Sequence, residues 1–154
     1  QDRLLRAHRG HRVLAGQDAI GVPRHKKIVY LGFVSEEEKA SLLHGARFLI
    51  MPSPYESLSL VTLEAMGCGT PVLVNGECSV LMGHCVRSNA GLWYQDYDEF
   101  KECTRYLLEN DRTRVRLGEN GKRYVESNYQ WDRIEQKFLS LLRRFQDFSA
   151  EESQ

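Results

Sequence analysis

No stretch of the sequence approaches the roughly 20 consecutive apolar residues that a membrane-spanning helix requires. No secretory signal opens the chain either. Charge of one sign is not in excess, since lysine plus arginine and aspartate plus glutamate each number 21. Nothing therefore recommends nucleic acid or an acidic membrane surface as a partner. Cysteine is scarce. The four present, Cys68, Cys78, Cys85 and Cys103, are too few and too scattered for the disulfide framework of a small secreted domain. They read as reduced thiols of a cytosolic, cytoplasmic protein. Cys78 and Cys85 stand close together with His84 beside the second, which raises the question of zinc. Structural zinc usually takes two close pairs, and the second pair is missing, so a thiol pair packed under a loop is expected and no metal. Internal repeats, low-complexity tracts and dividing linkers are absent as well.

What is present is an ordinary globular balance, 42% hydrophobic and 27% charged. The 154 residues make one domain, large enough to bury a core without staples. The chain begins at Gln1, without a methionine, and Asp2 to His8 already reads as the body of a helix. The expectation is a fragment of a larger protein.

Short β-branched runs alternate with helical stretches. Arg12 to Ala15, Lys27 to Leu31, Phe48 to Met51, Val72 to Val74 and Gly91 to Tyr94 are brief apolar segments bounded by glycine, proline or polar residues. Such runs suit strands buried on both faces, as in a parallel sheet. Ser35 begins Ser-Glu-Glu-Glu, an N-cap with a glutamate three residues on, and predicts a helix to about Gly45. A second helix is predicted from near Ser59 to Gly67 or Gly69, where Pro71 favours an extended chain. The alternation predicts an α/β fold: a Rossmann-like open parallel sheet of about five strands, with ligands at the strands' carboxyl ends. Three helices close the chain, over Asp96 to Glu109, Asp111 to about Ser127, and about Gln130 to Phe145. The last carries Trp131, Ile134, Phe138, Leu141, Leu142 and Phe145 on one stripe, which packs on its own domain or reaches a partner domain.

Met51 to Thr70 carries the chemistry. A strand ends at Pro52, a polar elbow follows, and a helix begins with exposed amides. Unpaired N–H donors and the positive end of the helix dipole favour an anion there, so a diphosphate fits on the backbone of Ser59, Leu60 and Val61. Glu56 precedes the helix; Glu64 lies inside it, roughly 7 Å along the axis at about 1.5 Å per residue. Carboxylates only accept hydrogen bonds, so sugar hydroxyls are their natural partners. Glu64 sits in an apolar run, where a charge is costly unless something donates to it. The plainer alternative is a helix-start carboxylate favouring the dipole and a second glutamate satisfied by a neighbouring basic side chain.

Pro-Ser-x-x-Glu, seven further residues, a second Glu, and then Ala-Met-x-x-Gly-Thr-Pro-Val resemble the donor-site motif of family-4 glycosyltransferases of the GT-B fold. The resemblance continues in Tyr30-Leu31-Gly32-Phe33-Val34-Ser35, the Ala46-to-Ser53 strand, Leu117-Gly118-x-Asn120-Gly121, Tyr124-Val125 and Tyr129-x-Trp131. It implies the donor-binding C-terminal half of a retaining enzyme that transfers sugar from a nucleoside-diphosphate sugar, with no essential metal and no further cofactor. By that resemblance Glu56 is the catalytic residue, facing the donor sugar near the reacting carbon, and Glu64 holds the ribose. Ser57, Leu58, Ser59 and Leu60 bind the donor, the last two offering amides to the phosphates, and the Gly32-Phe33-Val34 turn lies beneath the base.

Two departures bear on activity. Many relatives have glycines where this chain has Ser57 and Ser59, which narrows the backbone's freedom in the cradle. The family's diphosphate-binding Arg and Lys lie on a first strand and following helix that precede this chain, as does the acceptor domain. The expectation is weak donor binding without transfer by these residues alone, with any membrane contact left to the missing domain. Two rival classes are a non-catalytic nucleotide-sugar-binding or assembly module and a sugar-nucleotide epimerase on the same scaffold. Arg87-Ser88-Asn89 reads as a polar loop before a strand, with donors available to sugar or phosphate. His44 and His84 read as ordinary surface or helix-end histidines without a catalytic role.

Overall fold

The computed structural model describes residues 27–151, with side chains described to residue 144. The predicted strand at Arg12 to Ala15 and the predicted helix at Asp2 to His8 lie outside the described residues. The order is α1 (Glu36–Gly45), β1 (Leu49–Met51), α2 (Leu60–Gly67), β2 (Val72–Asn75), α3 (Ser79–Ser88), β3 (Gly91–Tyr94), α4 (Tyr97–Glu109), α5 (Asp111–Asn128) and α6 (Trp131–Glu151).

The described strands form one parallel sheet in the order β1-β2-β3, with Leu49 opposite Val72 and Val72 opposite Gly91. Side chains alternate across a strand, and β2 uses that period to serve two cores. Val72 and Val74 pack with Leu43, Leu63, Met66, Leu81 and Cys85, from α1, α2 and α3. Leu73 packs on the opposite face with Leu107 of α4 and Leu117 of α5. Val72, Leu73 and Val74 are wholly buried. Helices on both faces explain why the strand sequences are continuous rather than alternating in polarity.

Three differences from the sequence expectations have physical causes. Of the four predicted strands that fall among the described residues three form, and the fourth, Lys27 to Leu31, is not a strand there and leaves Ile28, Val29, Tyr30 and Leu31 exposed. A β-branched run makes a strand only when a neighbour completes its ladder. Second, the Cys78 to Asn89 segment is a helix and its cap, not a loop. Leu81, His84, Cys85 and Ser88 are its buried residues, at helical spacing, and Asn89 closes it in a left-handed conformation (φ 49°, ψ 42°). Third, His84 is buried, not superficial. His44, in the last turn of α1, is exposed as expected.

Backbone contact sets the spacing of α2 and α5. Gly69 adopts φ +76° just beyond α2, and a Cβ on Gly118 of α5 would run into the Gly69 carbonyl oxygen. Glycine at Gly118 therefore permits an approach that no side chain would allow.

Candidate functional site

β1 and β2 end at the same edge, and Asn75 ties their ends together. Its Nδ2 donates to the Pro52 carbonyl at 3.1 Å, and its Oδ1 accepts from the Glu77 amide at 2.9 Å. Beyond this edge opens a cleft of about 500 Å³, lined by Pro54, Tyr55, Glu56, Ser57, Glu77, Cys78 and Ser79. It thus lies outside the carboxyl ends of parallel strands, between the β1–α2 elbow and the start of α3, the location at which open α/β sheets bind ligands.

The elbow has an unusual backbone. Ser59, the residue before α2, sits at φ 59°, ψ 74°, a conformation that costs a non-glycine residue about 1 kcal/mol. Its hydroxyl does not cap the helix. Ser59 Oγ lies 2.8 Å from Thr62 Oγ1, both residues being buried, while the Ser59 carbonyl accepts from the Thr62 and Leu63 amides. No side chain caps the first turn, and that turn carries no acidic residue. The opening amides and the dipole are thus left without an anionic side chain of the protein's own. The first turn of α3 is likewise without a side-chain cap or an acidic residue, and its Ser79 faces the cleft.

The two glutamates do not meet in this cleft. Glu56 and Ser57 line it; Leu58, Ser59, Leu60 and Glu64 do not. Glu64 turns to α1, where Lys39 Nζ donates to its Oε1 at 3.0 Å and to Glu36 Oε2 at 2.7 Å. Glu36 first, and then Glu64, raise the Lys39 pKa above its ordinary value. The second Glu64 oxygen, Oε2, is buried without a hydrogen-bond partner. An unsatisfied buried acceptor carries a desolvation penalty and calls for a donor. Gly32 (φ +66°), Phe33 and Val34 lead into Ser35, the N-cap of α1, and Phe33 is fully exposed. Glu64 and the Gly32-Phe33-Val34 turn are therefore both linked to α1, whereas Glu56 lines the cleft.

Residues that sequence reasoning assigned no role adjoin this elbow. Glu77, Cys78 and Ser79 complete the cleft wall, and Lys39 occupies Glu64. His84 lies beneath the elbow, its Nε2 3.0 Å from the Leu58 carbonyl oxygen. The spacing of Leu81, His84, Cys85 and Ser88 was the readable signal for a helix that buries His84. Arg87, Ser88 and Asn89 are not among the cleft residues. Arg87 donates to Tyr124, Ser88 to the His84 carbonyl, and the Asn89 carbonyl accepts from Asn120. Cys78 and Cys85 are both free and buried, and burial pushes the Cys85 thiol up to about 12. Among the described residues, no group of three or more His, Cys, Asp or Glu is placed to hold a metal ion. No described helix is long and apolar enough to cross a membrane.

This parallel α/β layer, with a cleft at the strand ends, is the frame on which sugar-transfer enzymes of the GT-B type are built. The chain belongs to the family described as glycosyl transferases group 1, whose model matches residues 23–124. It is 30% identical to a glycosyltransferase of Methanocaldococcus jannaschii, over 90% of this chain and 38% of that protein. It is 31% identical to an MMP alpha-(1->4)-mannosyltransferase of Mycolicibacterium hassiacum, over 73% of this chain and 30% of the relative. Among solved structures, sucrose-phosphate synthase from Thermosynechococcus elongatus superposes with a TM-score of 0.65 at 27% identity, covering 79% of this chain and 30% of that one. The chain spans about a third of the length of these proteins.

Proposed function

We propose that this chain is the donor-binding, C-terminal half of a retaining family-4 glycosyltransferase, acting from the cytoplasm on a nucleoside-diphosphate sugar. The observation that carries the reading is the uncapped opening turn of α2, set between a cleft that contains Glu56 and a Glu64 with an unsatisfied buried oxygen. A diphosphate on the Ser59 and Leu60 amides directs its sugar into the Glu56 cleft. The ribose then lies toward Glu64 and the base toward the Gly32-Phe33-Val34 turn. Ser57 and Leu58 shape the elbow between the two ends. Glu64 Oε2 receives a ribose hydroxyl after a small rotation, while Lys39 continues to neutralise Oε1.

In this scheme Glu56 orients the donor sugar near its reacting carbon. The leaving diphosphate is stabilised by preorganised amides and the helix dipole, with no essential metal, together with an Arg and a Lys contributed from outside these residues. Acceptor recognition and transfer belong to the longer protein.

Saturation-transfer NMR of the chain with UDP-, GDP- and ADP-sugars tests the reading. One nucleotide series binds, and Glu64→Gln weakens it about tenfold, the scale of one hydrogen bond to a charged group. Unchanged affinity would remove Glu64 from the ribose site. In the complete enzyme, Glu56→Gln lowers transfer far more than nucleotide affinity, and NMR of the product shows the donor's anomeric configuration kept. Equal loss of binding and transfer would reassign Glu56, and an inverted product would exclude retention.

A further inference from the structure

We propose that His84 is the positioning residue of the donor elbow: its buried imidazole holds the Glu56–Ser59 segment in the shape that presents Glu56 and the α2 amides to the donor. The proposal rests on the donor-site reading above. His84 projects from the middle of α3 and is almost wholly buried. Its Nε2 lies 3.0 Å from the Leu58 carbonyl oxygen. A carbonyl can only accept, so Nε2 carries the hydrogen, and in the neutral ring Nδ1 is then the acceptor.

The remaining partners agree with that tautomer. Tyr124 Oη stands 3.3 Å from Nδ1 and donates to it, while Arg87 Nε donates to the same hydroxyl at 3.2 Å. Tyr129 Oη lies 3.5 Å from Tyr124 Oη. Both tyrosine rings stand edge-on to the imidazole, with centroids 6.1 Å away. A directed chain therefore runs from Arg87 through Tyr124 and His84 to the elbow carbonyl, its ring fixed on two sides. Burial lowers the His84 pKa, the bond to Leu58 opposes that, and the Arg87 charge adds to the lowering. That shift favours the neutral ring, in agreement with this chain of donors.

The elbow needs an anchor. Ser59 is strained, α2 is short, and no side chain caps it. Local bonds hold the neighbouring backbone: Ser53 Oγ donates to the Tyr55 carbonyl at 2.8 Å, and Ser59 pairs with Thr62. His84 links the segment to α3 and, through Tyr124, to α5. A rigid helix thus sets where the elbow lies, as supporting hydrogen bonds do for binding groups in general.

Two polar variants separate positioning from core filling. His84→Gln places an amide N–H near the Nε2 position and still reaches Leu58; His84→Asn is shorter and does not. The intact chain is titrated with GDP-mannose, UDP-glucose and ADP-glucose, alongside amide hydrogen exchange of residues 58–61 without ligand and a melting curve. His84→Gln binds within about threefold of the wild type, whereas His84→Asn binds about tenfold more weakly, the cost of one lost buried hydrogen bond. Elbow exchange accelerates in His84→Asn only. Equal affinity and equal elbow exchange in the two variants, whatever their melting temperatures, would overturn the role of His84. A wild-type chain that binds none of the three probes would overturn the donor-site reading and this proposal with it, while the exchange comparison still reports whether His84 shapes the elbow.

Discussion

The two helices α2 and α6 are opposites. α2 spans Leu60–Gly67, has no side-chain cap, and buries Thr62, Leu63, Ala65 and Met66. α6 runs over Trp131–Glu151 with an apolar stripe, yet Trp131, Phe138, Leu139, Leu141 and Leu142 are all exposed. An isolated helix as short as α2 would not persist in water. It exists because the sheet, α1 and α5 enclose it. α6 has the length and periodicity of a helix on its own account, and the described residues leave its stripe uncovered. Stability in this domain therefore comes from enclosure more than from helical pattern, and the proposed donor site sits on the enclosed helix.

Substitutions can break that contrast. Met66→Ala in α2 should cost about 3 kcal/mol, the usual price of truncating a fully buried side chain, measured by urea unfolding. A loss as small as that of a surface change would show that α2 is not held by packing. Gly118→Ala should destabilise by about 2 kcal/mol, because its methyl group drives α5 away from the Gly69 backbone and the overpacking outweighs alanine's better helix propensity. A stabilised variant would refute the close approach.

Cys85 sharpens the contrast through pH. Its folded-state thiol titrates near 12 rather than at 9.0. Between those values the unfolded chain has already lost the proton that the folded chain keeps, so the unfolded state binds fewer protons and stability falls as pH rises. The contribution is fully present below 9.0 and declines with a limiting slope of about 1.4 kcal/mol per pH unit. Cys85→Ala should flatten the alkaline limb of a melting-temperature profile; an unchanged limb would mean Cys85 is not the group responsible. Phe138→Ala in α6 should alter stability by less than about 0.5 kcal/mol, as exposed positions do. A cost comparable to Met66→Ala would show that the stripe is packed in solution.

Much of the layer was legible because its signals are local. The Ser35 capping box closes as read, with Glu38 Oε2 accepting from the Ser35 amide at 2.9 Å and Ser35 Oγ from the Glu38 amide at 3.2 Å. Asp96 Oδ1 caps α4 through the Glu99 amide at 2.8 Å. β1, β2 and β3 fall where the apolar runs at Phe48, Val72 and Gly91 placed them. The Lys27 to Leu31 run is not a strand among the described residues, because β propensity without a paired ladder does not fix one. α3 is poorly legible in the sequence, since Gly83 and its small and polar residues obscure the spacing of Leu81, His84, Cys85 and Ser88. Glu64 shows the same division: its apolar setting implied a donor, but that Lys39 supplies one for Oε1 and leaves Oε2 bare depends on how α1 lies against α2.

From the sequence alone came the α/β alternation, the helix starts, and the motif across the turn between β1 and α2 on which the proposed donor site rests. These follow from period, capping and turn residues, which act within a few positions along the chain. Only the folded arrangement decided that Glu64 turns to Lys39 while Glu56 lines the cleft, that Ser59 is strained, and that His84 lies within hydrogen-bond distance of the Leu58 carbonyl. Each of these depends on contacts between residues far apart in sequence or on the conformation those contacts impose, and packing of the whole layer selects them.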